Sequence, residues 1–298
     1  MRAVWSFWSR PFIAHHNRAW SDALPHLLSW VISVQTASRH YPERALVTDT
    51  PGRRLLVDQL GLPFTHVSTE LDTLATVDPG WWALGKIVAQ SLQTRPYLHL
   101  DSDVFLWKRL APQIEAAAVI AQTPEQDRGE SYRPADIEAA FAATGGVLPH
   151  EWEYARSLGP VIEAENCGIV GGNDIAFLNH YARTALDLVF RPENAAGWAR
   201  LPDKKPYNIV VEQFLLAASV GFHTARPGSP YRGVRTTYLF PSWPEAFDAN
   251  ESARIGFTHL MAGKSRPAVA QRLAARVRRD WPEFYRRCER ASAASVAA

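Results

Sequence analysis

The stretch of this sequence with the clearest chemical potential is Tyr97–Trp107, YLHLDSDVFLW. An apolar run delivers two carboxylates, Asp101 and Asp103, one residue apart. Like charges at that distance disfavour joint ionisation unless something positive lies between them. Read as a strand end, the run places alternate residues on one face, so both carboxylates point the same way. Two oxygens on one face suit a hard divalent cation, Mn²⁺ or Mg²⁺. A basic side chain would meet the same electrostatic need, and so would water around a strand end. The spacing alone does not choose among the three.

The elements that must position these acids are legible in the first hundred residues. Ala3–Trp8 reads as a strand, Ser21–Arg39 as a helix on its apolar period, and Arg44–Thr48 as a second strand closed by the turn signal DTPG. Pro51–Leu60 reads as a helix, Phe64–Ser68 as a strand, Trp82–Gln93 as a helix and Tyr97–Leu100 as the fourth strand. Alternating strands and helices predict an α/β fold with a mixed, mainly parallel central sheet flanked by helices. Ligands of such sheets bind beyond the carboxyl ends of the strands. Trp8-Ser9, Asp49 and Asp101–Asp103 all fall there.

Beyond them, Gln122–Leu148 is polar and Gly-rich with few strand signals, Ile162–Val170 is strand-like, and Asp174–Phe190 is helical by period. Arg191–Tyr207 reads as a loop rich in Pro and charge, and Ile209–Val220 as a helix. Thr236–Phe240 and Ile255–Leu260 are further strand candidates, Pro267–Arg290 is one basic helix, and 291–298 is a frayed tail.

Composition bounds the rest. The 298 residues are 47% hydrophobic and 21% charged, a globular balance able to bury a core unaided. A formal charge of +2 makes no case for a nucleic-acid partner. The two cysteines, Cys167 and Cys288, give neither a disulfide framework nor zinc spacing, which fits a reducing, cytoplasmic setting. The amino-terminal residues lack a signal-type apolar core, and no run approaches the ~18 apolar residues of a membrane span. From Lys264 to Arg290 there are nine Lys or Arg against three acids. That is a solvated helix face, or a peripheral contact with the inner face of a membrane or an anionic acceptor. The 11 tryptophans, with the pair Trp81-Trp82, serve either as core or as flat faces for a ring.

Two families share the acidic string. The DxD followed by Val104 resembles the motif of haloacid-dehalogenase-type phosphatases, in which the first acid, here Asp101, is a nucleophile. That family also needs a later strand ending in paired acids, and none follows residue 103. The sequence resembles GT-A type nucleotide-diphospho-sugar glycosyltransferases, in the glycogenin and galactosyltransferase style, more broadly. Four segments carry this, in order: WWALGKIVAQSLQTRPYLHLDSDVF, with Lys86 ahead of the DxD; ENCGIVGGND; NIVVEQFLLA; and FTHLMAGKSR, with His259 and Lys264. Lys264 stands five residues after His259 where that family usually has six, so Arg266 rivals it. The opening AVWSFWSRPF lacks the family's small-residue run and resembles a little-described bacterial branch.

The resemblance implies a single GT-A-like domain over 1–290, with a nucleotide-binding half at 1–110, an acceptor half at 111–265 and a basic helix at 266–290. It implies Asp101, Asp103 and His259 as ligands of Mn²⁺ or Mg²⁺. Trp5, Ser6, Phe7, Asp49, Lys86, Ser102, Lys264 and Asn166 would serve the nucleoside diphosphate sugar donor. Glu212, Gln213 and Asp174 would be catalytic toward an unknown acceptor. Asp174 has a second reading as a helix cap, and Glu212 as a carboxylate favoured by a helix dipole. The implied activity is metal-dependent hexosyl transfer from a UDP-sugar; a non-catalytic nucleotide- or carbohydrate-binding module is the alternative.

Overall fold

The protein is described here from a computed structural model covering residues 1–14, 20, 22–261 and 263–296. Eleven strands are formed among these residues: β1 Arg2–Phe7, β2 Arg44–Thr48, β3 His66–Ser68, β4 Tyr97–Leu100, β5 Val104–Leu106, β6 Val119–Ala121, β7 Pro124–Asp127, β8 Ile162–Glu165, β9 Ile169–Gly172, β10 Thr236–Tyr238 and β11 Phe257–His259. The chain is α/β, with mixed, mainly parallel sheet flanked by helices, as the alternation of elements led us to expect. Its contacts divide it into two compact units. One comprises Met1–Pro79, Leu98–Leu110 and Ala249–Ala298; the other comprises Gly80–Tyr97 and Ala111–Asp248.

In the first unit the strands lie in the order β4-β1-β2-β3. β1 pairs parallel with β2, Trp5 opposite Leu46, and β2 pairs parallel with β3. Buried Val4, Trp5, Leu46 and Val47 give these strands the near-continuous apolar character of a covered parallel sheet. Helix Ala23–Ala37 begins where the Asp22 carboxylate accepts from the Leu24 amide at 2.7 Å. It buries Leu27, Leu28, Trp30, Val31, Ile32 and Val34, and helices Pro267–Asp280 and Pro282–Val296 pack against it. A hydrogen-bond relay runs from the core to the acidic segment: Trp5 Nε1 donates to Ser33 Oγ at 2.9 Å, and Ser33 Oγ donates to the Asp101 carbonyl at 3.3 Å. A two-stranded antiparallel ribbon, β5 with β11, completes the unit.

In the second unit β10 pairs parallel with β6, β6 pairs antiparallel with β9, and β7 and β8 form a separate antiparallel ribbon. Helix Leu84–Ser91 packs on Ile175–Phe190, and His150–Ser157 packs on Leu215–Ala225. Gly172 ends β9 at φ 139°, where an added Cβ would lie 2.1 Å from the Ala118 carbonyl oxygen, so this approach requires glycine.

Several expected boundaries are corrected. The polar span 122–148 contains β7 and helix Pro134–Ala142, because pairing with β8 overrides the weak strand propensity of PEQD. Ile162–Val170 is two strands, not one. The loop 191–207 holds short helical turns at Pro192–Asn194, Ala195–Ala199 and Lys205–Tyr207. Pro51–Leu60 is a single α-helical turn, Thr50–Arg53, followed by π-helical Arg54–Gln59. The basic helix is broken at Trp281, since a residue before proline is driven out of the helical region; Trp281 has φ −143° and ψ 62°. Its second half continues to Val296, so the expected fraying of 291–296 is replaced by helix, and residues 297–298 lie outside the described residues.

The relay makes Ser33 a structural support of the acidic turn. Ser33→Ala leaves the buried Trp5 N–H without its acceptor, and urea unfolding should show a loss of about 1–3 kcal/mol.

Candidate functional site

β4 ends at Leu100, and the two acids follow in a tight turn rather than on the strand itself. The Val104 amide donates to the Asp101 carbonyl at 3.0 Å, and the chain returns as β5. The expected strand-face alignment of Asp101 and Asp103 is therefore replaced by turn geometry. What faces them is set by β11, whose register places His259 opposite Val104. One step on, the Leu260 amide donates to the Asp103 carbonyl at 3.2 Å.

This pairing brings one ligand atom each from Asp101, Asp103 and His259 within 4.8 Å of one another. His259 Nε2 lies 3.4 Å from Asp103 Oδ2, and Lys264 Nζ lies 2.7 Å from the same oxygen. The Asp103 side chain is 3% exposed. Burial alone would raise its carboxyl, but the Lys264 ammonium and the His259 imidazole outweigh this and hold it well below the usual carboxylate range. The donor set fits a hard or borderline divalent cation. Two carboxylates suit Mn²⁺ or Mg²⁺, the imidazole favours Mn²⁺ of the two, and with bonds of about 2.0–2.2 Å opposite ligands stand roughly 4–4.5 Å apart. Ser102 sits in the turn between the acids, half-buried, and Arg266 is exposed.

His26 joins this neighbourhood and was missed in the sequence, where it is one of ten histidines with no motif around it. Its Nε2 accepts from Trp30 Nε1 at 3.2 Å, and its ring stacks on Trp20 at 5.9 Å between centroids. Burial, and then the charge of Lys264, lower its pKa to about 4 against an opposing pull from Asp103. Helical periodicity reads His26 as one polar position on an amphipathic face; only the fold shows which charges it feels.

Several expected donor contacts are spent on structure. Trp5 is fully buried, and its indole N–H is committed to Ser33. Ser6 Oγ lies 3.0 Å from His99 Nε2, and the Phe7 ring packs edge-on to Phe12 and Trp30. Asp49, expected at a ribose or base, caps the turn after β2: Oδ1 accepts from the Gly52 amide at 2.8 Å, and Oδ2 accepts from Ser9 N at 2.9 Å and Ser9 Oγ at 2.6 Å. Asp174 is the cap of helix Ile175–Phe190, accepting from the Phe177 amide at 3.0 Å.

The second unit gathers the other expected residues. Lys86, expected to reach a donor sugar or the aspartates, lies with Nζ 2.7 Å from Glu212 Oε1 and donates to the Cys167 carbonyl at 2.8 Å. Both side chains are buried, at 8% and 1% exposure, so a general base at Glu212 would have to act beside the Lys86 amino group that pairs with it. Glu212 and Gln213 lie on a π-helical turn, Val210–Phe214, a local geometry frequent at functional sites. Asn166 Nδ2 donates to Glu125 Oε1 at 2.6 Å, while the Tyr132 hydroxyl bridges Glu125 Oε2 and Gln213 Oε1. Glu125 and Tyr132 lay in the span read as featureless and were missed for that reason. Glu165, 3% exposed, accepts on Oε1 from Thr236 and Tyr238, both at 3.0 Å. Burial pushes its carboxyl up to about 8, with the charges of Glu163 and Glu125 adding to the rise.

An α/β chain with a two-carboxylate, one-imidazole cluster, Asp103 buried at its centre, is the class that fold and site define. The chain belongs to a family of unknown function, DUF6734, which it matches over residues 1–291. No curated protein matches it in sequence. Among solved structures it is similar to those of glycosyltransferases. One is the galactosyltransferase LgtC in complex with donor and acceptor sugar analogues, at 12% identity over 92% of this chain and 94% of that chain, TM-score 0.43. An active-site mutant of LgtC matches at 10% identity over 95% of this chain and 100% of that chain, TM-score 0.43. Mouse xyloside xylosyltransferase 1, in its apo form, matches at 9% identity over 89% of this chain and 99% of that chain, TM-score 0.39.

Two tests follow from these charges. In Lys264→Met the buried Asp103 carboxylate loses its nearest cation; melting in chelator should show a loss of about 1–3 kcal/mol. Mn²⁺ should then stabilise the variant more than the parent, and equal response would remove the cluster as a cation site. For Glu165, the folded protein between about pH 4.5 and 8 holds a proton that the unfolded chain has released. Stability therefore falls as pH rises through that window and levels off above it. Glu165→Gln mimics the neutral carboxyl, so it should match the parent near pH 5 and exceed it by about 2–4 kcal/mol above pH 8 in denaturant titrations.

Proposed function

We propose that this protein is a metal-dependent glycosyltransferase that moves a hexose from a nucleoside diphosphate sugar, a UDP-sugar, to an acceptor. The observation that carries this reading is the convergence of Asp101, Asp103 and His259 within 4.8 Å. Asp103 and His259 are 156 residues apart in the chain (259 − 103), and a strand pairing dedicated to those two segments brings them together. In glycosyl transfer the bond between the anomeric carbon and the diphosphate breaks, an acceptor oxygen bonds to that carbon, and the acceptor's proton leaves to a base. Negative charge grows on the departing diphosphate. Asp101, Asp103 and His259 would hold a divalent ion, Mn²⁺ or Mg²⁺, which neutralises such charge when bound.

This chain's own residues supply the rest. Lys264, with its ammonium at the edge of the cluster, pairs with a phosphate oxygen once Asp103 has another cation to face. The rings around His26, Phe12 and Trp20 among them, offer flat apolar surface beside the charged groups. In the second unit Asn166, Gln213, Glu125 and Tyr132 form a polar set suited to hydroxyl groups, and these are the acceptor-side candidates. Glu212 acts through its ion pair with Lys86 as a positioning group rather than as the base.

Thermal-shift titration with UDP, with and without Mn²⁺, tests the reading. Stabilisation by UDP should require Mn²⁺, should vanish in Asp103→Asn and His259→Ala, and should be accompanied by slow release of UDP from the matching donor. UDP stabilisation without any donor turnover would leave a binding module. Phosphate release from an aryl phosphate, lost in Asp101→Asn, would replace the reading with a phosphatase.

A further inference from the structure

Another convergence of ligating atoms lies wholly within the second unit and plays no part in the chemistry above. Helix His150–Ser157 contributes Glu151, helix Ile175–Phe190 contributes His180, and helix Leu215–Ala225 contributes His223. Their ligand atoms form a small triangle. His180 Nε2 stands 2.8 Å from Glu151 Oε1, His223 Nε2 stands 3.4 Å from the same oxygen, and the two Nε2 atoms are 2.9 Å apart.

We propose that Glu151, His180 and His223 form a binding site for a zinc-class divalent cation that pins these three helices together. Protons satisfy only some edges of such a triangle in line, whereas one central cation takes a lone pair from each corner. Tetrahedral zinc with bonds of about 2.0–2.1 Å holds its ligand atoms roughly 3.3 Å apart. The observed edges bracket that value, so ion entry requires shifts of only a few tenths of an ångström. Two imidazoles and a carboxylate favour Zn²⁺ over Mg²⁺ or Ca²⁺, which prefer all-oxygen shells.

The surroundings support the ligands. His223 Nδ1 lies 2.7 Å from Ser229 Oγ, which fixes the ring from behind; donation from Nδ1 leaves the Nε2 lone pair facing the triangle. The Ser229 hydroxyl is itself held by the Tyr231 amide at 3.0 Å. The Tyr231 ring lies against both imidazoles, with centroids at 5.1 Å from His180 and 5.0 Å from His223. Glu151 and His223 are buried, at 9% and 7% side-chain exposure, while His180 is 30% exposed and leaves the fourth coordination position to water.

Neither the spacing nor the composition announces this site. The ligands fall at 151, 180 and 223, far from any zinc motif, and helix packing alone brings them together.

Calorimetric titration of chelator-stripped protein with Zn²⁺ tests the proposal, with Co²⁺ as an optical probe of tetrahedral nitrogen ligation. Beside any ion held by the Asp101, Asp103 and His259 cluster, the parent should take up an equivalent that survives in His259→Ala and is lost in His180→Ala. His180 is the most exposed of the three, so its removal is the least disruptive to folding; circular dichroism checks that helix content is kept. Glu151→Gln, a near-isosteric change, should bind Zn²⁺ at least tenfold more weakly. Stoichiometry and affinity unchanged in both His180→Ala and Glu151→Gln would overturn the site, as would absence of Zn²⁺ uptake by the parent.

Discussion

The Asp103 carboxylate is buried in the first unit, and a buried carboxylate is tolerated only beside positive charge or dense hydrogen bonding. That requirement organises everything near it. The β5–β11 ribbon delivers His259 and then Lys264 to the carboxylate, while the Leu260 amide fastens the Asp103 backbone. The Trp5–Ser33–Asp101 relay holds the start of the turn from the side of the sheet. A charge kept out of water in this way depends on the ammonium and the imidazole placed beside it.

The second unit handles buried charge differently. Lys86 and Glu212 neutralise each other, and a backbone carbonyl takes a further ammonium proton. Glu165 accepts from the hydroxyls of Thr236 and Tyr238, and burial drives it toward the neutral form. Glu151 faces two imidazoles. Three buried carboxylates thus take three states from their neighbours rather than from residue type. Roles assigned by type, such as a general base at Glu212, are the ones most exposed to revision for that reason.

The long carboxy-terminal helices show the same local economy. The basic run is partly consumed inside its own unit: Arg276 and Arg279 pair with Asp280, Arg287 pairs with Glu283, and the Arg278 guanidinium lies over the Tyr285 ring. Among the described residues no helix is long and apolar enough to cross a membrane.

The sequence by itself determined the alternation of strands and helices from Ala3 to Leu100, because apolar periods of two and of 3.6 are local properties of the chain. It also determined that two acids follow an apolar strand and that a late His-Lys pair follows another. It misjudged 122–148, where strand β7 exists only because β8 pairs with it, and it read the Asp101–Asp103 geometry as strand when a turn does the work. It offered Asp49 and Trp5 to a ligand, and the fold gives each a partner remote in sequence, Ser9 and Ser33. Tertiary structure alone decided which histidine meets which carboxylate: His259 with Asp103, His180 and His223 with Glu151, and His26 within the field of Lys264. Ion pairing and coordination depend on distances of a few ångströms between residues far apart in the chain, as Asp103 and His259 are, and no local pattern encodes those distances.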